Sequence, residues 1–212
     1  DSLLPNQTRI AENLLMPVYR GEKYGIAQLA YTPEEGDQVA NMSLASTGIT
    51  DGYGSTLWRI TNGGSNVFCL DHGASCRRSY NYGNFQKMDG EAAYLIEKYG
   101  GSSTVSGYIC IQMAVWALMS ASTEAEAYAY AYTWYLKSYD ASEAASWAET
   151  TVQFFKLANG KNGSIWRAEG PSGSQRVGKY EEFVTKPYSE GSGGNPEGGG
   201  NEEEILEPEY AL

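Results

Sequence analysis

The stretch Leu57-Trp58-Arg59-Ile60-Thr61-Asn62-Gly63-Gly64-Ser65-Asn66-Val67-Phe68-Cys69-Leu70 holds two apolar runs around an Asn-Gly-containing break. That pattern predicts a β-hairpin, with Cys69 at the end of its second strand. The same strand-and-turn texture extends back towards the N-terminus. Short apolar or aromatic runs at 24–31 and 56–60 alternate with Gly-, Asn- and Asp-rich breaks.

Beyond the hairpin the period changes. From about residue 88 the apolar spacing becomes helical. Asp89 is expected to cap a helix that runs to Tyr99 and stops at Gly100-Gly101. A second helix is expected from near Ser106, carrying Ile109 to Leu118. Thr123-x-x-Glu126 and Asp140-x-x-Glu143 are capping-box patterns that open two more, the last ending at Asn159-Gly160. Residues 127–132 alternate Ala and Tyr, which fits a strand as well as a helix; the capping box and the Ala content favour helix. Strand-like runs return at 164–168 and 180–185. The expected fold class is α+β: strands from both chain ends form a sheet, with a helical subdomain over about 88–160. Residues 1–186 form the domain, and 187–212 read as an acidic Gly/Glu/Pro-rich linker or tail.

Charge narrows the partners. The chain of 212 residues carries −11, but residues 187–212 hold seven Glu and no Lys or Arg, which leaves −4 for the rest. A mildly acidic body with no basic stripe argues against nucleic acid. No stretch reaches the roughly 18 apolar residues of a membrane span, so no membrane insertion is expected. No signal peptide is evident, so one is expected to have been removed already. Seventeen Tyr and five Trp against five Phe suit half-buried surfaces and binding faces, and equally a tyrosine-rich extracellular class.

Three cysteines in an apparently secreted chain leave one to explain. Tyr108-Ile109-Cys110-Ile111-Gln112-Met113-Ala114-Val115-Trp116-Ala117-Leu118-Met119 is apolar at nearly every position, so the helix is expected to be buried on most sides. Gln112 shares a face with Ile109, Met113 and Trp116. A buried amide must either hydrogen-bond to backbone or be chemically converted, since leaving it unmet costs on the order of 1–3 kcal/mol.

Phe68-Cys69-Leu70-Asp71 resembles the cysteine motif of bacterial thioester domains of Gram-positive surface adhesins. Ile111-Gln112-Met113-Ala114-Val115-Trp116 resembles their glutamine motif, and the Cys-before-Gln order is the same. The resemblance covers about residues 57–120, and the step from Cys to Gln is shorter than is common in that family. It implies a Cys69–Gln112 thioester at the junction of sheet and helices, shielded from water by aromatic residues for which Tyr80, Tyr82, Tyr108 and Trp116 are candidates. It further implies covalent capture of an amine, such as a lysine, on a host surface or matrix protein. Such a module is a single-use binder, not an enzyme, needs no cofactor, and sits at the cell surface as a monomeric part of a longer wall-anchored chain.

With Cys69 so occupied, Cys76 and Cys110 can pair as a disulfide or remain two thiols; Cys110 lies about 200° around the helix from Gln112. His72, the only histidine, either assists as a base or is a turn residue bonded to backbone; Asp71 either orients it or caps the turn. Three competing readings follow from the same residues. A Cys69–His72 hydrolase lacks suitable spacing. A zinc site from Cys69, His72, Cys76 and Cys110 has the ligand types but no finger spacing. A non-covalent carbohydrate- or protein-binding module would use the Tyr and Trp surface.

Overall fold

A computed structural model describes residues 31–50, 56–72, 74, 80–171 and 174–190. Within them the chain is α+β. Six strands form one antiparallel sheet in the order β2 (Ser43–Thr50), β3 (Thr56–Asn62), β4 (Ser65–Cys69), β7 (Val177–Lys179), β6 (Gly163–Glu169), β5 (Gly83–Gly90). A small pair, β1 (Gln38–Val39) with β8 (Lys186–Pro187), lies apart from it. Four helices fall between β5 and β6: α1 (Glu91–Tyr99), α2 (Val105–Ser120), α3 (Glu124–Tyr135) and α4 (Ala141–Ala158).

The hairpin is there, and its turn is tighter than the sequence pattern required. Asn62 pairs with Ser65, so only Gly63 and Gly64 lie between the strands, both at positive φ (61° and 84°). Two left-handed residues in succession are what a twist-matched two-residue turn needs, and glycine adopts them without a Cβ clash. Thr123 and Asp140 cap α3 and α4, each side chain accepting from the N–H three residues on. Glu126 returns its bond to Ser122 N (2.8 Å), one residue before the cap. The Ala-Tyr alternation is helical.

Three expectations are corrected. Asp89 does not cap α1: it lies in β5 opposite Ser164, and the cap position is Gly90, with no side-chain bond. The strand β5 was not foreseen, since its side chains mix Asn, Phe, Gln, Lys, Met and Asp without alternation. The strand expected at 180–185 lies instead at Val177–Lys179. There the backbone leaves the sheet because Lys179 is buried and its Nζ takes the Glu182 carbonyl (2.9 Å), while Val184 N–H bonds the Asn62 side chain (2.7 Å). The run at 24–30 and the tail beyond 190 lie outside the described residues, and Tyr31 is in no strand.

Helix α2 is central. Every residue from Tyr108 to Leu118 is buried, because it packs against α1, α3 and α4 on some sides and β3 and β4 on another. An apolar surface all round is the sequence signature of such a helix. Among the described residues no helix is long and apolar enough to cross a membrane.

Candidate functional site

Helix α2 enters the sheet through two side chains one turn apart. The parity of the β3–β4 ladder points the N–H and C=O of Val67 and Cys69 towards β3. At the last pair of the β3–β4 ladder, Ile60 with Val67, the Tyr108 hydroxyl donates to Val67 O (2.7 Å) and accepts from Ile60 N (3.2 Å). Beyond that point β3 no longer pairs with β4. At Cys69 the Gln112 amide takes the missing strand's place, with Cys69 N–H donating to Oε1 (2.8 Å) and Nε2 donating to Cys69 O (2.9 Å). Phe68 stacks on Tyr108 (4.9 Å between ring centres), which holds that ring at the end of the ladder.

The other edge of β4 stays in the sheet, with Cys69 opposite Val177 and Leu70 N–H donating to Arg176 O (2.9 Å). Asp71 then forms a buried pair with Arg176: Nη2 to Oδ1 is 2.6 Å, Nε to Oδ2 is 2.9 Å, and Arg176 N–H also donates to Oδ2 (2.8 Å). Asp71 therefore locks β4 to the β7 approach instead of orienting His72. The loop between α1 and α2 is tied down as well, by Asn66 Nδ2 to Gly100 O and Ser102 O and by Arg59 to Ser102 O and Ser103 O. Cys69 and Gln112 thus meet between two rigidly held backbones, both buried.

What meets is a thiol-bearing residue and a side-chain carbonyl. The amide carbon of Gln112 is bonded to both atoms that hold the Cys69 backbone, so it lies beside the Cα from which the thiol projects. Its oxygen already accepts a backbone N–H, the contact that would stabilise negative charge developing on that oxygen during attack.

His72, three residues on, stacks flat on Trp116 (4.1 Å, 5°), leans on Trp134 (4.4 Å) and meets the Tyr130 hydroxyl through Nδ1. Burial, and secondarily the charge of Lys137, lower its pKa to about 3. It is neutral near pH 7 and a poor base. Lys137 lies over the Trp134 ring at 4.1 Å. The indole N–H groups of Trp116 and Trp134 are buried and have no acceptor among the described residues.

Of the aromatic residues expected to shield the site, Tyr108 and Trp116 flank Gln112 by one turn on either side along α2. Tyr82 is fully buried and bridges to Ala40, with Tyr80 tilted against it at 6.4 Å. Cys110 is a buried thiol facing Tyr135, whose hydroxyl donates to its sulfur (4.0 Å) and shares a bond with Thr151. Burial pushes this thiol's pKa up, against opposing hydrogen bonds from Tyr135 and Thr151. It lies among the helices, while Gln112 faces the sheet, as their angular separation on α2 requires. Cys76 lies outside the described residues, so the expected Cys76–Cys110 pairing has only Cys110 on view, and that residue is a thiol. Among the described residues no three His, Cys, Asp or Glu side chains group as metal ligands.

Sequence reasoning did not find Tyr130, Trp134 and Lys137 as the surroundings of His72. Their spacing of four and three along α3 and its end was the available signal. No local signal could link Asp71 with Arg176, which lie 105 residues apart.

No protein-family model matches the chain, and neither does any curated protein or solved structure.

Proposed function

We propose that this chain is a covalent binding module in which Cys69 and Gln112 form an internal thioester that captures a primary amine, such as a lysine side chain, on a host surface or matrix protein. The observation that carries the reading is the Gln112 amide seated on the Cys69 backbone in place of a strand partner. A thiolate at Cys69 attacks the Gln112 Cδ, the C–N bond breaks, and the nitrogen leaves as ammonia with a proton from the thiol or solvent. An amide is a poor electrophile, so the step relies on placement. Rigid intramolecular placement is worth about 7–11 kcal/mol of barrier, and the bonds that immobilise β4 and α2 are the means. In the second step an amine nitrogen attacks the same carbon, the C–S bond breaks, and sulfur leaves as thiolate. Gln112 is then amide-linked to the partner. The bond is consumed once, so no turnover follows and no cofactor is needed.

In this reading the thioester lies where the helices meet the sheet, in a module of an extracellular, wall-anchored surface protein. Intact mass is the direct test. The purified chain should be lighter than its sequence by one ammonia, and Cys69→Ala and Gln112→Ala should each remove the deficit. A small primary amine should add one equivalent on Gln112 and expose one thiol. A chain of full mass, unreactive to amines, would leave Gln112 as a satisfied core amide.

A second reading, non-covalent binding of a carbohydrate or protein, is favoured by one feature. Tyr128 stacks on Tyr132 (5.7 Å) and Tyr139 on Trp147 (5.3 Å), and all four rings are half-buried around α3 and α4. Such a module would bind reversibly and show no mass deficit.

A further inference from the structure

We propose that Trp58 is the gate of the thioester: its indole roofs Cys69 and the Gln112 amide on the face of the sheet away from the helices, and selects amines by the width of the stem behind the nitrogen. The amine selectivity rests on the thioester reading; the cover over Cys69 does not.

The register of the hairpin singles this residue out. In an antiparallel ladder the hydrogen-bonded pairs recur at every second residue. Asn62 faces Ser65 and Ile60 faces Val67, so the next such pair in this register would be Trp58 with Cys69. That pair is not made, and the Gln112 amide bonds the Cys69 N–H and C=O in its place. Gln112 therefore stands between Cys69 and the residue that the ladder would have set against it. Strand β3 itself continues through Trp58, which pairs with Ser46 on its other side.

The neighbours fix which way the side chains point, because successive residues of a strand face opposite sides of the sheet. Phe68 stacks on Tyr108 of α2, so it lies on the helical face and Cys69 points to the other. Arg59 reaches Ser102 O and Ser103 O between α1 and α2, and its guanidinium lies 5.9 Å from the centre of the Tyr108 ring. It too is on the helical face, so Trp58 shares the face of Cys69. An amide inserted between two strands widens their spacing from about 4.8 Å to roughly twice that, and an indole, the largest side chain, has the reach to cover it. Trp58 is half-buried and packs on the core, while Cys69 and Gln112 are buried, so its ring is the most exposed of the three. The helical face offers no such way in, since α2 and the Phe68–Tyr108 stack fill it.

Capture then has a shape requirement. The amine nitrogen bonds to the Gln112 carbon as the C–S bond breaks, the electron pair goes to sulfur, and the amine's surplus proton follows it there or passes to water. The chain behind the nitrogen must lie beside the indole. An unbranched stem such as that of lysine passes, a branched one meets the ring, and the ring limits the entry of water.

The isomers n-pentylamine and neopentylamine, equal in mass and different in branching, read the gate by intact mass. The wild type should take up n-pentylamine faster. Trp58→Ala should narrow that preference by about tenfold, the scale on which a pocket discriminates hydrocarbon shape. Its thioester should also hydrolyse faster, leaving a glutamate at 112. Trp58→Phe should narrow the preference by less. Dividing each variant's rates by those of the wild type removes the intrinsic difference between the amines. A Trp58→Ala chain isolated already hydrolysed supports the gate, and if that variant does not fold, the preference is read on Trp58→Phe. An unchanged preference in the folded variants overturns the gate, as does a variant that keeps its Gln112 amide where the wild type is short of ammonia. If the wild type has full mass, the thioester reading fails, and the cover is read at the free thiol. Alkylation by iodoacetamide, mapped to Cys69, should then be severalfold faster in Trp58→Ala, and an equal rate overturns the cover.

Discussion

Gln112 and Asn62 are both buried primary amides whose oxygen and nitrogen each hold backbone across the fold, yet their company differs. Asn62 Nδ2 donates to Asn41 O (2.9 Å) and Val184 O (3.1 Å), and its Oδ1 accepts from Val184 N–H and from Lys179 Nζ (3.2 Å). Lys179 Nζ also donates to Asn62 O (3.0 Å) and Glu182 O (2.9 Å). Three acceptors match the three hydrogens of an ammonium, and an ammonium has no lone pair with which to attack a carbonyl. The Asn62 node is a stitch that holds the C-terminal segment to β3. At Gln112 the neighbour is a cysteine, which becomes a nucleophile by losing a single proton. Two buried amides therefore differ in chemistry through the group beside them.

The comparison breaks first at Gln112. Replacing it with Ala should abolish amine capture and, separately, leave Cys69 N–H and C=O unmet in the interior. Each unmet group costs on the order of 1–3 kcal/mol, so denaturant unfolding should show a large loss. If stability is unchanged, water or β3 has filled the place of the amide. The wild-type mass should be short by one ammonia, not two. A second missing ammonia, mapped to Asn62 and Lys179, would erase the distinction between the nodes.

Lys179→Met comes next. It removes a buried charged donor from three acceptors, and hydrogen bonds to charged groups contribute about 1.5–3 kcal/mol. A destabilisation of about 2–3 kcal/mol is expected, with the Cys69–Gln112 mass deficit intact. A lost deficit would mean that the C-terminal stitch also positions β4.

How much of this was legible beforehand follows from where each signal is stored. Capping residues, the glycine turn and the all-apolar α2 are local, and each appears where local chemistry put it. Strand β5 was missed because one of its ends becomes a helix start and its residues do not alternate. The shift from 180–185 to Val177–Lys179 arises because a buried lysine bonds the backbone that would otherwise have paired. At the site, the approach of Cys69 to Gln112 was an expectation from paired motifs. The manner of the approach, an amide substituting for a strand, depends on where the β3–β4 ladder ends and is invisible in one dimension. The Asp71–Arg176 lock joins distant segments and leaves no periodic trace.

A smaller effect separates His72 from ordinary surface histidines. Unfolded, it should take a proton near its reference pKa of about 6.5, whereas folded it resists until about 3. The unfolded chain thus binds more protons in that window, and stability should fall as pH drops below about 6.5. Because this is the only histidine, the interval from about pH 6.5 to 5 lies above the usual carboxylate range and reports it with least interference. Unfolding curves for His72→Phe should show a flatter slope there. Equal slopes would place a proton on the native imidazole.

The smallest expected change is Tyr108→Phe. The ring can keep its stack on Phe68, and only the hydroxyl between Ile60 N–H and Val67 C=O is lost. Those two residues are already the last pair of the β3–β4 ladder, so the pairing survives and only the bonds to the hydroxyl go, a net cost of about 1 kcal/mol. Tyr108→Phe should therefore unfold slightly more easily than the wild type in denaturant, while the ammonia deficit stays complete, because Gln112 is held on Cys69 by its own two bonds. A smaller fraction of chains carrying the deficit would show that the hydroxyl also sets where Gln112 meets β4.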